Sequence, residues 1–132
     1  MANQGSAASS ERLNRWHERY SEKGLRIVGV HSPEFDSEKK IENVGRQVAS
    51  LGIRFPVVTD NEYEIWRAYK VKAWPTIFVL DKSGRIRWTH VGEGRYDETE
   101  QVIQKLLAED VRASNGKASW AKAQGTQVTT KL

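Results

Sequence analysis

The sequence predicts an α/β fold built on a mixed sheet. Three observations carry that prediction. A Trp74-Pro75-Thr76 step enters the apolar run Ile77-Phe78-Val79-Leu80, which leaves through Asp81-Lys82-Ser83-Gly84 into the alternating stretch Ile86-Arg87-Trp88-Thr89-His90-Val91. That pattern is a buried strand, a tight reversal and a half-buried antiparallel partner. Leu25 to Val30 is a second, β-branched run, suited to a strand buried on both faces. Segments of helical periodicity lie on both sides of it, so the chain also crosses between strands through a helix.

Taken in order, the elements justify themselves locally. Ser10 reads as an N-cap for a helix from Glu11 to Lys23, with Leu13, Trp16, His17 and Tyr20 on one face and Gly24 as the stop. The strand Leu25 to Val30 ends at His31-Ser32-Pro33-Glu34-Phe35. Asp36 or Ser37 then caps a helix in which Ile41, Val44, Val48 and Leu51 recur until Gly52. Phe55 to Thr59 is a short strand whose Pro56 argues for a sheet edge. The cap-like Asp60-Asn61 precedes a short helix carrying Ile65, Trp66 and Tyr69. Beyond the hairpin, Gly92-Glu93-Gly94 is a turn, and Asp97-Glu98-Thr99-Glu100 resembles a capping box for a helix with Val102, Ile103, Leu106 and Leu107 inward. From Ala113 the composition shifts to small and polar residues, with Gln127-Val128-Thr129-Thr130 a weak strand candidate. The expected organisation is a leader over 1–9, a domain over 10–110 and a basic, flexible tail over 111–132.

Composition excludes several function classes. At 132 residues, 38% hydrophobic and 29% charged, the chain fits one globular domain. No apolar run approaches the roughly 18 residues needed to span a bilayer, so no membrane-spanning segment is expected. The first ten residues lack the basic-then-apolar pattern of a secretion signal. The net charge of +4 comes from Arg112, Lys117, Lys122 and Lys131, because residues 11–110 hold 17 basic and 17 acidic side chains. Four dispersed charges read as a solvated tail and not as a nucleic-acid surface. There is no cysteine, which removes disulfides, thiol nucleophiles and thiolate metal sites together.

The stretches RWHERYSEKGLRIVGVHSPEF and GIRFPVVTDNEYEIWRAYKVKAWPTIFVLDKSGRIRWTHVGEGRYDETE, spanning about residues 11 to 108, resemble the thioredoxin-like domain of the TlpA/AhpC-TSA (redoxin) superfamily. The likeness is to domains fused to DipZ/CcdA-type disulfide interchange proteins and to NHL-repeat proteins. The resemblance implies a three-layer thioredoxin-like fold in which Pro75 is a cis-proline. It implies substrate binding at Trp74, Pro75 and Thr76, where an extended peptide or protein partner would lie. It also implies an extracytoplasmic, periplasmic setting, which nothing in the composition corroborates. The family's chemistry resides in a Cys-x-x-Cys between a central strand and the first helix, and both the motif and that strand are missing here. Ser9 and Ser10 stand near where the motif should end, but a hydroxyl cannot undergo thiol–disulfide exchange. No catalytic residue and no cofactor are therefore assigned.

In the family the missing strand lies between those corresponding to Leu25–Val30 and Thr76–Asp81. Deleting it would leave them about 10 Å apart, beyond hydrogen-bond reach. They could pair directly, the tail could insert Thr126 to Thr130, or another chain or an upstream segment could supply a strand. The tail offers chiefly Val128, whereas a central strand should be rich in Val, Ile and Leu. An N-terminal truncation with direct pairing or an open edge is therefore the expectation, and an open edge would allow oligomers.

Other chemistry is thinly supported. His17, His31 and His90 match no compact metal motif, and packing or surface roles are expected for each. Trp16, Trp66 and Trp88 fall on inward faces, leaving Trp74 as the tryptophan expected at a cleft. Three functional readings stand. One is a redox-inactive or truncated thioredoxin-like domain that keeps a peptide-binding surface. The second is a fragment of an active oxidoreductase with its Cys-x-x-Cys upstream, and the third a non-enzymatic module using a sheet edge.

Overall fold

A computed structural model describes residues 4–109 and 127–130, with side chains from Ser9 to Glu109. The first helix, α1 (Gln4–Tyr20), continues through a 3-10 turn to Gly24, whose left-handed φ of 114° ends it. It begins before Ser10 and not at it. Ala7 and Ala8 are strong helix formers, and Ser9 and Ser10 are buried within the helix, so Ser10 does not serve as the cap. Strand β1 (Arg26–His31) follows, then a 3-10 turn over Asp36–Lys39, α2 (Ile41–Ser50), β2 (Val57–Thr59) and α3 (Glu64–Ala68). The hairpin strands are β3 (Thr76–Leu80) and β4 (Ile86–Val91), and α4 (Tyr96–Ala108) comes next.

The hairpin turn is built by Asp81. Its carboxylate accepts from the backbone N–H groups of Ser83 (2.9 Å) and Arg85 (3.0 Å) and from Arg87 (3.1 Å). Burial pushes this carboxyl up, but the hydrogen bonds from Ser83, Arg85 and Arg87 outweigh burial and hold it below its ordinary value. At α4 the expected cap is replaced. Arg95 occupies the N-cap position at φ 54° without a side-chain capping bond, its guanidinium pairing instead with Glu98, and Asp97 is an exposed residue of the first turn, 3.5 Å from Arg12. Asp97 there stabilises the helix through its charge at the positive end of the dipole. Thr99 is the buried residue: its hydroxyl donates to the Arg95 carbonyl and accepts from the Trp88 indole at 3.0 Å.

The largest correction concerns the sheet. A fifth strand, β5 (Gln127–Thr130), stands in its middle, giving the order β2-β1-β5-β3-β4. It runs parallel to β1, with Ile27 opposite Val128, and antiparallel to β3, with Val79 opposite Val128. The gap is thus neither closed by direct pairing nor left open, and the tail that looked unsuitable fills it. Backbone satisfaction decides the outcome. Two inner strand edges left unpaired would bury orphaned N–H and C=O groups, and a four-residue strand pairs with Arg26–Gly29 on one side and Phe78–Leu80 on the other whatever its side chains. Val128, Thr129 and Thr130 are moreover all β-branched, which suits a pleated surface.

The proline rule placed β2 correctly, because that strand pairs with β1 alone and lies at the edge. The core gathers Leu13, Trp16 and Tyr20 of α1, Leu25 and Ile27 at β1, Phe55, Ile77 and Val79 of β3, and Ile103 and Leu106 of α4. On the opposite face of β3, Phe78 meets the ring of Tyr69 at 5.0 Å, so the sheet is covered on both sides.

Candidate functional site

The site forms at the end of the sheet where β1 and β2 finish and β3 begins. Asp60, directly after β2, organises it. Its backbone N–H donates to the His31 carbonyl at 2.8 Å, tying β2 to the end of β1. Its carboxylate accepts from the Ser32 hydroxyl at 2.8 Å and from the backbone N–H groups of Ile65 (3.0 Å) and Trp66 (2.9 Å). Asp60 is therefore the cap of α3, although Tyr63, at φ 59°, intervenes as the N-cap residue. Burial pushes the Asp60 carboxyl up, and the donors Ile65, Trp66, Ser32 and Glu64 more than reverse it, so the group sits below its ordinary value.

An aromatic wall follows from this scaffold. The Trp74 indole N–H donates to the Ser32 carbonyl at 3.2 Å, and the Trp66 ring lies 4.4 Å from the Trp74 ring. Tyr63 meets Trp66 edge-on at 6.1 Å, and its hydroxyl donates to the Pro33 carbonyl. Trp66, expected inward, is half-buried and shares the wall with Trp74. The correction has a geometric origin, because a five-residue helix held at its first turn by Asp60 turns that side chain toward the neighbouring loop and not wholly into the core.

The Trp74–Pro75 peptide bond is cis. Trp74 and Pro75 are half-buried, whereas Thr76 is buried and donates its hydroxyl to the Ala73 carbonyl at 2.7 Å. The Pro75 carbonyl accepts from Gly92 N–H at 2.8 Å, which brings the Gly92-Glu93-Gly94 turn against the proline. Glu93 in turn accepts from the Ser9 hydroxyl (3.1 Å) and from the Tyr96 hydroxyl. The Tyr96 hydroxyl is held above its ordinary pKa by burial first and by Glu93 second, so it remains a proton donor to that carboxylate.

Chemically, this arrangement holds and positions. Ser9 touches a carboxylate and a phenol, while the imidazole of His90 is directed to the Glu93 backbone carbonyl at 3.2 Å. The structure thus brings together Trp74, Pro75 and the segment of α1 carrying Ser9, linked through Glu93. Sequence reasoning missed Ser32, Asp60 and Trp66 as the residues that place Trp74. The only local signal was the cap-like Asp60-Asn61.

The class is now defined by fold and site together: an α/β domain with a cis-proline facing the first helix across a glycine-containing turn. A sequence model described as Thioredoxin-like matches residues 2–86, and the chain belongs to that family. It is 39% identical over 92 residues to the protein DipZ of Mycobacterium tuberculosis, covering 70% of this chain and 13% of DipZ. With the thiol-disulfide oxidoreductase ResA of Bacillus anthracis it shares 30% identity over 94 residues, 71% of this chain and 51% of ResA. The chain thus spans a small fraction of DipZ and about half of ResA. Among solved structures, a DsbE-type thiol:disulfide interchange protein of Chlorobium tepidum superposes with a TM-score of 0.72 at 26% identity, covering 80% of this chain and 73% of that one. More narrowly, the chain is a redoxin-superfamily domain related to thiol:disulfide oxidoreductases, and its sequence contains no cysteine.

Proposed function

We propose that this chain is a redox-inactive thioredoxin-like domain that holds an extended peptide at Trp74, Pro75 and Thr76 without exchanging disulfides. One observation carries the reading: the aromatic wall at Trp74 is built and fixed through Ser32, Asp60 and Trp66, while the sequence supplies no thiol to act on a bound substrate. Half-buried tryptophan offers a large apolar contact with a polar handle, the kind of side chain that dominates binding energy. Thr76, being buried, acts by fixing the loop and not by touching the peptide.

Two measurements test this. In an insulin-disulfide reduction assay the chain is expected to give no turnover above the blank, and sustained turnover overturns redox inactivity. In calorimetric titrations with the reduced, alkylated insulin B chain, Trp74→Ala is expected to weaken binding about tenfold, or about 1.4 kcal/mol. Circular dichroism of the variant should match the parent. Equal affinity of variant and parent removes the peptide-binding reading.

A further inference from the structure

The segment that leads into Trp74 carries two cations that no described residue neutralises. Between α3 and β3 the chain runs Tyr69-Lys70-Val71-Lys72-Ala73-Trp74, and both lysines are exposed. The Val71 N–H donates to the Trp66 carbonyl at 2.9 Å, and the Tyr69 ring is held inward on Phe78. The segment is thereby drawn against the residue whose ring lies on Trp74. Two residues separate Lys72 from Trp74, at most about 7 Å, and four separate Lys70 from it, at most about 14 Å.

Other surface cations are matched: Arg12 pairs with Asp97, Arg54 with Glu18 and Arg95 with Glu98. Among the described residues, neither Lys70 nor Lys72 forms an ion pair. Local structure does not account for them either. Glu64 in the first turn of α3 and Arg67 in its last turn complement the helix dipole, but both lysines lie past the end of that helix. Lys70 moreover takes φ 55°, a left-handed conformation in which glycine or asparagine is the favoured residue. The carboxylates of the site are engaged elsewhere, Asp60 with Ser32 and α3 and Glu93 with Ser9 and Tyr96, while Glu62 and Glu64 stand at the opposite end of α3.

We infer that the peptide held at Trp74 is an acidic one, with an apolar residue on the Trp74 ring and Asp or Glu two and four positions away, level with Lys72 and Lys70. The inference rests on the peptide-binding reading and supplies its substrate class. An extended chain advances about 3.3 Å per residue, so acids at those positions cover the same span as the two lysines, and alternation sets them on the same side as the apolar residue. Exposed ion pairs add little affinity in water, so their effect is selection among peptides.

Calorimetry of the full chain with three synthetic peptides tests this. The acidic peptide is Asp-Ser-Glu-Val-Phe-Val-Asp-Ser-Glu, which offers acids on both sides of its apolar centre and so serves either direction of binding. The neutral one carries Asn and Gln in place of the acids, and the basic one Lys and Arg. At about 0.01 M salt the acidic peptide is expected to bind about fivefold more tightly than the neutral one and the basic peptide most weakly; at about 0.5 M the margin should fall below about twofold. The Lys70→Asn/Lys72→Gln double variant, with asparagine chosen for the left-handed position, should lose the margin and keep its affinity for the neutral peptide. Lys23→Gln/Lys105→Gln, which removes the same charge from exposed positions on α4 and the turn after α1, should keep the margin. Equal binding of acidic and neutral peptides by the parent overturns the inference and leaves the peptide-binding reading standing. A margin that survives in the Lys70→Asn/Lys72→Gln variant, or that falls equally in both double variants, also overturns it. Absence of binding by all three peptides overturns both.

Discussion

Replacing Val128 with proline is expected to destabilise the domain by about 4 kcal/mol, whereas Thr59→Pro should cost less than about 1 kcal/mol. Both residues lie in strands, and the difference comes from where their N–H groups point. In a central strand every N–H belongs to one ladder or the other, and β5 pairs on both sides. Proline at 128 deletes a donor, leaves a buried carbonyl orphaned at about 1–3 kcal/mol, and forces its ring against the neighbouring strand. In β2, the Asp60 N–H donates to His31 on β1, so by alternation the Thr59 N–H points away from β1, toward the outer edge. Proline is tolerated there. Chemical denaturation of the two variants checks the contrast. Similar losses for both would show that the two halves of the sheet hold together without β5.

Asp60→Ala carries the second-largest expected effect, about 3 kcal/mol, or a fall in Tm of about 10 °C. The substitution strips partners from the Ser32 hydroxyl and from two backbone N–H groups of α3 in a buried setting. It also frees the two props of the aromatic wall, because Ser32 holds Trp74 and the first turn of α3 holds Trp66. Peptide binding at Trp74 should therefore fall along with stability. The pH dependence separates this mechanism from simple loss of packing. The folded Asp60 carboxyl lies below its ordinary value of 3.8, so its contribution is fully present above that value and is lost as pH falls through the lower, folded value. The stability gap between parent and variant should hold constant from about pH 5 to 8 and narrow below about pH 3.8. A gap that stays constant into strong acid would refute a role for the ionised carboxylate.

The parts of the fold legible in the sequence were those set by neighbours along the chain. Pro56 marked an edge strand, Asp81-Lys82-Ser83-Gly84 marked the hairpin, and the spacing of Ile103 and Leu106 marked the buried face of α4. What escaped was decided across the chain. Gln127–Thr130 has the weakest strand signal in the sheet, and it takes the central position because two edges required hydrogen bonds more than they required aliphatic side chains. Trp74 was marked as a candidate site residue by resemblance, but the residues that hold it in place were not legible. Ser32, Asp60 and Trp66 stand apart from it in sequence and meet it only once β1, β2 and α3 converge. Asp97 shows the opposite failure, in which a good local capping pattern lost to a left-handed Arg95 that starts the helix earlier.

The position of β5 also sets how the molecule must assemble in time. β1, α2 and β2 are near neighbours along the chain, and β3, β4 and α4 are likewise local, so each half can form quickly. Their junction joins Arg26 to Gln127, about a hundred positions apart, and the entropy of closing that loop is met only at the end. Docking of β5 should therefore follow the rate-limiting step. Conservative substitutions such as Val128→Ala are expected to accelerate unfolding while leaving the refolding rate nearly unchanged, with φ near zero in stopped-flow chevrons. Kinetic lifetime of the folded domain, more than its speed of formation, is the property that this strand governs.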